Sequence, residues 1–328
     1  MKTQILPVVS PQELAFAVRA AVEQLRGGEA IALPTETVYG LAADALNVEA
    51  VLKIFEAKER PRFDPLIVHL PGSEWFHRIA AIPSRDEDRV NALLSRYWPG
   101  PLTLVLPRQK IVPDIVTAGL ETVAVRISAH SVFQEIIEQF GQPLAAPSAN
   151  RFGRISPTTA AHVAAELAGR IPLVLDGGAT THGLESTIVG LSDGTIEILR
   201  HGPITAEELE EFGEVRLGTS PEQPKAPGQL RSHYAPRTPL RLTASLATFD
   251  SPGAGQIGAL SFGPAEMRQF SEMRNLSASS DLREAAANLF RYLRELDDAR
   301  LDLIVAEELP ERGLGSAIMD RLRRAAAQ

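Results

Sequence analysis

Cysteine is absent from all 328 residues. Disulfides, thiolate metal centres and thiol nucleophiles are therefore excluded, and a reducing compartment fits the chain. No nucleotide phosphate loop is read from the sequence, so a bound nucleotide would need another device. No apolar run approaches a membrane span, and the opening MKTQILPVVSPQE has no apolar h-region. The expectation is a cytoplasmic protein with no membrane partner. A positive balance is missing too: the net charge of −8 argues against a nucleic-acid binder held by overall charge, while leaving room for a local basic cleft. There is no internal repeat, no evident Ser-His-Asp order and no His-x-x-x-His metal pair.

What is present suits two ordinary domains, with 44% hydrophobic residues. Ser10-Pro11-Gln12-Glu13 reads as a capping box with proline at the first helical position, and Gly27-Gly28 ends that helix. Residues 29–70 then organise the chain. A short apolar strand at 30–33 is stopped by Pro34, and a hydroxyl-rich loop follows at 35–40. Asn47 caps a helix that ends in Lys58, Arg60 and Arg62, and a second strand spans 66–70. Further strands are expected at 102–106, 123–127, 173–176, 185–191 and 195–199, with helices at 86–97 and 132–140. Ser156-Pro157 is expected to cap a helix running through Leu167, and Thr205 with Glu208 to cap one ending at Gly213.

This mixture of βα units and short hairpins predicts an α/β fold, a twisted mixed sheet with helices, over residues 1–213. Residues 214–239, rich in proline, read as a linker or lid. Residues 240–328 alternate strand and helix and read as a smaller Rossmann-like α/β domain.

Several residues fit a site for an anionic ligand. Cations at a helix end can simply complement the helix dipole, but Lys58, Arg60 and Arg62 could also clamp a phosphate. Thr35 and Thr37 could be turn chemistry or part of a site at a strand end. Arg126 differs, because it lies within Val-Ala-Val-Arg-Ile. An arginine buried in a strand needs an anionic partner, from the protein or from a ligand. His69, Ser148, Asn150, Ser156, Glu185-Ser186-Thr187 and Arg200 lie at strand ends or in turns, where structural and binding roles are both open.

In order, the chain carries PTETVYGL, Lys58-Glu59-Arg60 followed by PLIVH, WPGPLT, TVAVR, APSAN, GLESTI, LRHGP and HYAP. Together these motifs closely resemble the L-threonylcarbamoyladenylate synthases with a YrdC-like catalytic domain, in their long two-domain form. The resemblance implies condensation of L-threonine, bicarbonate and ATP to threonylcarbamoyl-AMP and pyrophosphate, with Mg²⁺ held mainly by the ATP phosphates. The product would pass to a threonylcarbamoyl transferase complex that modifies tRNA. Carried over by position, the threonine site is Thr37, His69, Arg126, the backbone at Ala146, and Ser186. The ATP site is Lys58, Arg60, Asp64, Thr122, Ser148, Asn150, Ser156 and Arg200, with Tyr234 reaching in from the linker. Lys58, Arg60 and Arg126 would carry the catalysis. Asp64 departs from the asparagine common at that position, and a carboxylate beside a triphosphate is repulsive unless Mg²⁺ or an arginine intervenes. The alternative from another class is a double-stranded RNA or tRNA-binding protein that uses the same basic surface without chemistry.

Overall fold

The computed structural model describes residues 1–192, 194–218, 226–230, 233–250, 255–264 and 270–327. Strand β1 (Gln4–Pro7) leads into helix α1 (Pro11–Arg26). The expected capping box is formed: Glu13 N donates to Ser10 Oγ at 3.2 Å, and Ser10 N donates to the Glu13 carboxylate at 2.8 Å. Strands β2 (Ile31–Leu33) and β3 (Gly40–Asp44) pair antiparallel around the hydroxyl-rich loop, and Asn47 caps α2 (Val48–Lys58). β3 is absent from the sequence reading. Its Leu-Ala-Ala core has little β propensity of its own, and pairing on both sides makes it a strand.

Next come β4 (Ile67–His69), α3 (Phe76–Ile79), α4 (Glu87–Tyr97), β5 (Leu102–Pro107), α5 (Asp114–Thr117), β6 (Thr122–Arg126), α6 (Ser131–Phe140) and β7 (Leu144–Ala145). α7 (Ala160–Leu167) starts later than expected. Its cap is Thr159, whose Oγ1 accepts from His162 N at 3.2 Å. Ser156 is not the cap, because its hydroxyl donates instead to the Glu185 carboxylate, a stronger charge-assisted acceptor. β8 (Leu173–Asp176), the hairpin β9 (Thr187–Ser192) and β10 (Thr195–Arg200), α8 (Ala206–Leu209) and β11 (Val215–Leu217) complete the large domain. β11 pairs with β10, so the sheet continues into the segment read as linker. Much of that linker, including Pro221, Pro224, Arg231 and Ser232, lies outside the described residues.

The large sheet has the order β1-β8-β2-β3-β7-β4-β6-β5-β9-β10-β11 with mixed strand directions. Alternation along its strands covers both faces. Ile31, Leu33, Leu173 and Leu175 face α1 and α6, whereas Ala32, Leu41, Val68, Val125 and Val174 join the core around α2 and α4.

The small domain is a parallel sheet, β12 (Leu240–Thr243), β13 (Ile257–Ser261), β14 (Glu272–Asn275) and β15 (Leu303–Glu307), in the order β12-β15-β13-β14. β14 escaped the sequence reading, because Glu-Met-Arg-Asn shows no strand pattern. Helices α9 (Leu282–Asp298) and α10 (Leu314–Ala326) cover one face. The sequence reading missed a GxGxxG spacing at Gly253, Gly255 and Gly258, but Gly258 lies inside β13. A dinucleotide loop would follow a strand and open a helix, so the match is not a phosphate cradle. The small domain's core continues into Val38, Ile155 and Leu184 of the large domain, which docks the two together. No helix among the described residues is long and apolar enough to cross a membrane.

Candidate active site

β4 and β6 run parallel with His69 opposite Arg126 at their carboxyl ends. The crevice beyond such ends is the usual ligand position in an open sheet. Here it is a cleft lined by cationic, hydroxyl-bearing and apolar side chains. Thr37, His69, Arg126, Ala146, Ser186, Arg60, Ser148, Arg200 and Tyr234 all line it. The fold thus gathers residues from eight separate stretches of chain.

Arg126 forms the floor and is 3% exposed. It is ion-paired to Glu36, donates through Nη1 to Thr37 Oγ1 at 3.1 Å, and through Nε to the Gly100 carbonyl at 3.0 Å. Ser128 Oγ holds the other Glu36 oxygen at 2.5 Å. Burial alone would raise the Glu36 pKa, but Arg126 and Ser128 pull it down to about 2. The buried arginine therefore has a protein carboxylate as partner. Glu36 was missing from the sequence-predicted site, although a buried arginine beside an acid-bearing loop was a usable signal. Thr35 does turn chemistry, its Oγ1 accepting from the backbone N–H groups of Thr37 and Val38, and it also lines the cleft.

His69 packs on Phe133 with ring centroids 4.7 Å apart. Burial, helped by Arg126, lowers its pKa to about 3. The imidazole is neutral at pH 7, and its buried Nδ1 has no partner. It can exchange a hydrogen bond with a ligand without adding charge.

Arg200 closes another wall. Its Nε and Nη2 donate to the Ser186 carbonyl at 3.1 and 3.0 Å, and Nη2 also reaches Ser186 Oγ at 3.0 Å. Ser186 Oγ lies 2.8 Å from Thr103 Oγ1.

The helix-end cations are not a solvated cluster. Lys58 is 1% exposed, and its Nζ donates to the carbonyls of Ser148 at 2.5 Å and Asn150 at 2.6 Å. Burial pushes its ammonium well below the usual lysine range. Arg60 donates to the Pro65 carbonyl at 2.8 Å and is ion-paired to Asp64 at 2.8 Å. Burial raises the Asp64 pKa, an effect Arg60 opposes. An arginine does intervene at this position, so Asp64 presents no free charge to a triphosphate. Arg62 alone of the three is exposed.

Lys58, Asp64, Asn150 and Ser156 stand behind the cleft wall rather than on it. Asn150 Nδ2 ties down the carbonyls of Arg151 and Arg154. Thr122 is not brought to the cleft: it opens β6, opposite Pro107, at the far end from Arg126.

The roof comes from the strap between the domains. Tyr234 adopts φ 63°, stacks on Phe290 at 5.6 Å and lies under the Arg321 guanidinium at 5.0 Å. Gly228, at φ 84°, sits where a Cβ would come within 2.8 Å of the Tyr234 hydroxyl. His233, 4.1 Å from Tyr234 by ring centroids, is buried and its pKa is lowered to about 3. Glu185 also faces the cleft, held by Ser156 and by Arg321 Nε at 2.9 Å. Arg321 was not singled out from the sequence. Its position in the apolar stripe Ile318, Leu322, Ala325 was the available signal.

Two family models cover most of the chain. One, described as Telomere recombination and comprising Sua5, YciO and YrdC, matches residues 23–202. The other, described as Threonylcarbamoyl-AMP synthase, C-terminal domain, matches residues 204–327. The threonylcarbamoyl-AMP synthase of Pyrococcus abyssi is 40% identical over 94% of this chain and 94% of its own length. That of Bacillus subtilis is 39% identical over 94% of this chain and 92% of its own. The crystal structure of P. abyssi Sua5 complexed with L-threonine superposes with a TM-score of 0.88 at 38% identity, covering 99% of this chain and 98% of that one. Escherichia coli YciO, 20% identical with a TM-score of 0.51, covers 61% of this chain and 96% of its own, and shares the fold of the large domain. The chain belongs to the threonylcarbamoyl-AMP synthase family, in the two-domain form typified by Sua5.

Proposed function

We propose that this enzyme condenses L-threonine, bicarbonate and ATP to threonylcarbamoyl-AMP and pyrophosphate. The threonine nitrogen bonds to the bicarbonate carbon with loss of water. An oxygen of the resulting carbamate then bonds to the α-phosphorus of ATP as the bond to the β-phosphate oxygen breaks. One observation carries this reading above the others: Arg60, Arg126 and Arg200, all buried, converge on one cleft with buried Lys58 behind its wall. The carbamate and the ATP phosphates are both anionic where they react and need fixed cations to meet, and a cleft that excludes water protects a labile carbamate.

In this reading Arg126 pairs with the threonine carboxylate, while Thr37, His69, the Ala146 backbone and Ser186 hold the rest of the amino acid. The L-threonine complex of the P. abyssi protein supports threonine as the amino-acid substrate. Arg60, Ser148, Arg200 and Tyr234 face ATP, backed by Lys58, Asn150 and Ser156. Mg²⁺ enters on the ATP phosphates, as a small hard ion that keeps several waters is commonly bound. The product feeds threonylcarbamoyl transfer to tRNA. An RNA-binding role without chemistry is disfavoured, because cations as deeply buried as Arg126 and Arg200 cannot reach a polynucleotide backbone.

The test is pyrophosphate release from ATP by the purified protein, with threonine and bicarbonate omitted one at a time. Release that requires both is expected. Release with threonine alone in bicarbonate-free buffer would replace the proposal with amino-acid adenylation.

A further inference from the structure

We propose that Arg321, in the small domain, is a positioning residue for the reaction in the large one. It ties three cleft-bearing segments of chain into one buried cluster. The inference rests on the reaction proposed above, but the geometry that suggests it does not.

Arg321 is fully buried on α10. Its Nε donates to Glu185 Oε2 at 2.9 Å, its Nη2 to the His201 carbonyl at 2.8 Å, and its Nη1 to Asp320 at 2.7 Å. Its guanidinium also covers the Tyr234 ring. Apart from the neighbouring Asp320, each contact adjoins or is itself a cleft residue: Glu185 precedes Ser186, His201 follows Arg200, and Tyr234 is the roof. Along the same helix face Arg324 donates to the Leu230 carbonyl at 2.5 Å, and its own carbonyl accepts from His233 N at 3.3 Å. One helix of the small domain thus grips both the strap and the wall beneath it.

Stability is a poor reason for such a residue. A buried ion pair is often no better than well-packed apolar side chains of similar volume, and its best-attested use is to set registry. Registry is what the surroundings need. Glu185 is the one carboxylate among the described residues lining an otherwise cationic cleft, and Arg200 is close enough to help hold it ionised. With Arg321 in place, Glu185 is occupied by Arg321 and Ser156, and Arg200 stays on Ser186. Without it, a buried unpaired carboxylate would capture Arg200 and draw that cation away from the anionic substrate.

The experiment compares R321M, R321K, R321M/E185Q and E166Q with wild type. Glu166 forms a different interdomain ion pair, with Arg294 at 3.2 Å, and lines no part of the cleft. R321M is expected to lose about 100-fold in kcat/KM for ATP, carried mainly by KM, with the KM for threonine much less affected. R321K, which keeps the charge without the fork, should fall between R321M and wild type. R321M/E185Q should recover part of the loss, because the competing carboxylate is gone. E166Q should behave as wild type. In the ligand-free proteins, amide exchange at 233–235 should be faster in R321M than in E166Q at matched melting temperature. Wild-type kinetics in R321M, equal losses in R321M and E166Q, or no recovery in the double variant would each overturn the proposal. If wild type released no pyrophosphate, the reaction assignment would fall, and the exchange comparison would still decide whether Arg321 holds the strap.

Discussion

The two halves of the cleft are built differently. The Arg126 half stands on paired strands: β4 and β6 place His69 and Arg126 in register, and Glu36, Thr37 and Gly100 lock the guanidinium. The half around Arg60, Ser148, Arg200 and Tyr234 is assembled from a helix end, a turn, a hairpin end and an interdomain strap. Strand-borne groups are held by a ladder of backbone hydrogen bonds. Loop-borne groups depend on side chains from elsewhere, here Lys58 under the turn and Arg321 over the strap. The first half should be rigid without ligand, and the second should be the half that tightens when one binds.

The largest expected effect breaks the rigid half. Arg126→Ala should abolish turnover, and it should also destabilise the fold by about 3–5 kcal/mol, because Glu36 is left buried and unpaired. Adding Glu36→Gln should restore most of the stability and none of the activity, as read by melting and by pyrophosphate release. A double variant that turns over normally would remove Arg126 from the chemistry.

Lys58→Met attacks the assembled half from below. It strands the Ser148 and Asn150 carbonyls, so the turn should loosen and activity should be lost. Binding of threonine alone, measured by calorimetry, should survive in this variant. Equal loss of threonine binding would mean that the two halves do not act separately.

Removing residues 240–328 takes away Phe290 and Arg321, the supports of Tyr234. Turnover should fall at least about 100-fold, again with threonine binding less affected. Unchanged kinetics would show that the roof holds itself.

The smallest effect of a single substitution is on the pH dependence of stability. His69 and His233 have pKa values lowered by burial to about 3, against an ordinary value of 6.5. The unfolded chain therefore binds more protons between these values, and stability is lost as the pH falls below 6.5. Each such group contributes up to roughly 1.4 kcal/mol per pH unit between pH 6 and 4, and His162, lowered by burial to about 4, adds to the same slope. His69→Gln should lower this slope by about 1.4 kcal/mol per pH unit in denaturation measured across the range, and an unchanged slope would place the titration elsewhere.

Much of the molecule was legible before it was folded. The capping box at Ser10, the Asn47 cap and the apolar alternation at β5, β6 and β8 act within a few residues, and each element appeared where those signals put it. The cationic and hydroxyl-bearing motifs, too, were visible as chemistry. Ser156 misled because a serine before a proline is a good local cap, and a distant carboxylate outbid the helix for its hydroxyl.

By itself the sequence determined which segments could be strands or helices, and that an anion-binding cleft had to be assembled from arginine, lysine and hydroxyl groups. Tertiary structure decided the rest: that Leu-Ala-Ala at β3 is a strand, that Glu36 rather than another acid meets Arg126, and that Arg321 crosses between domains to Tyr234. The reason is range. Propensity and capping are settled by near neighbours along the chain, whereas the partner of a strand edge or a buried charge is chosen among distant candidates only when the sheets close and water leaves.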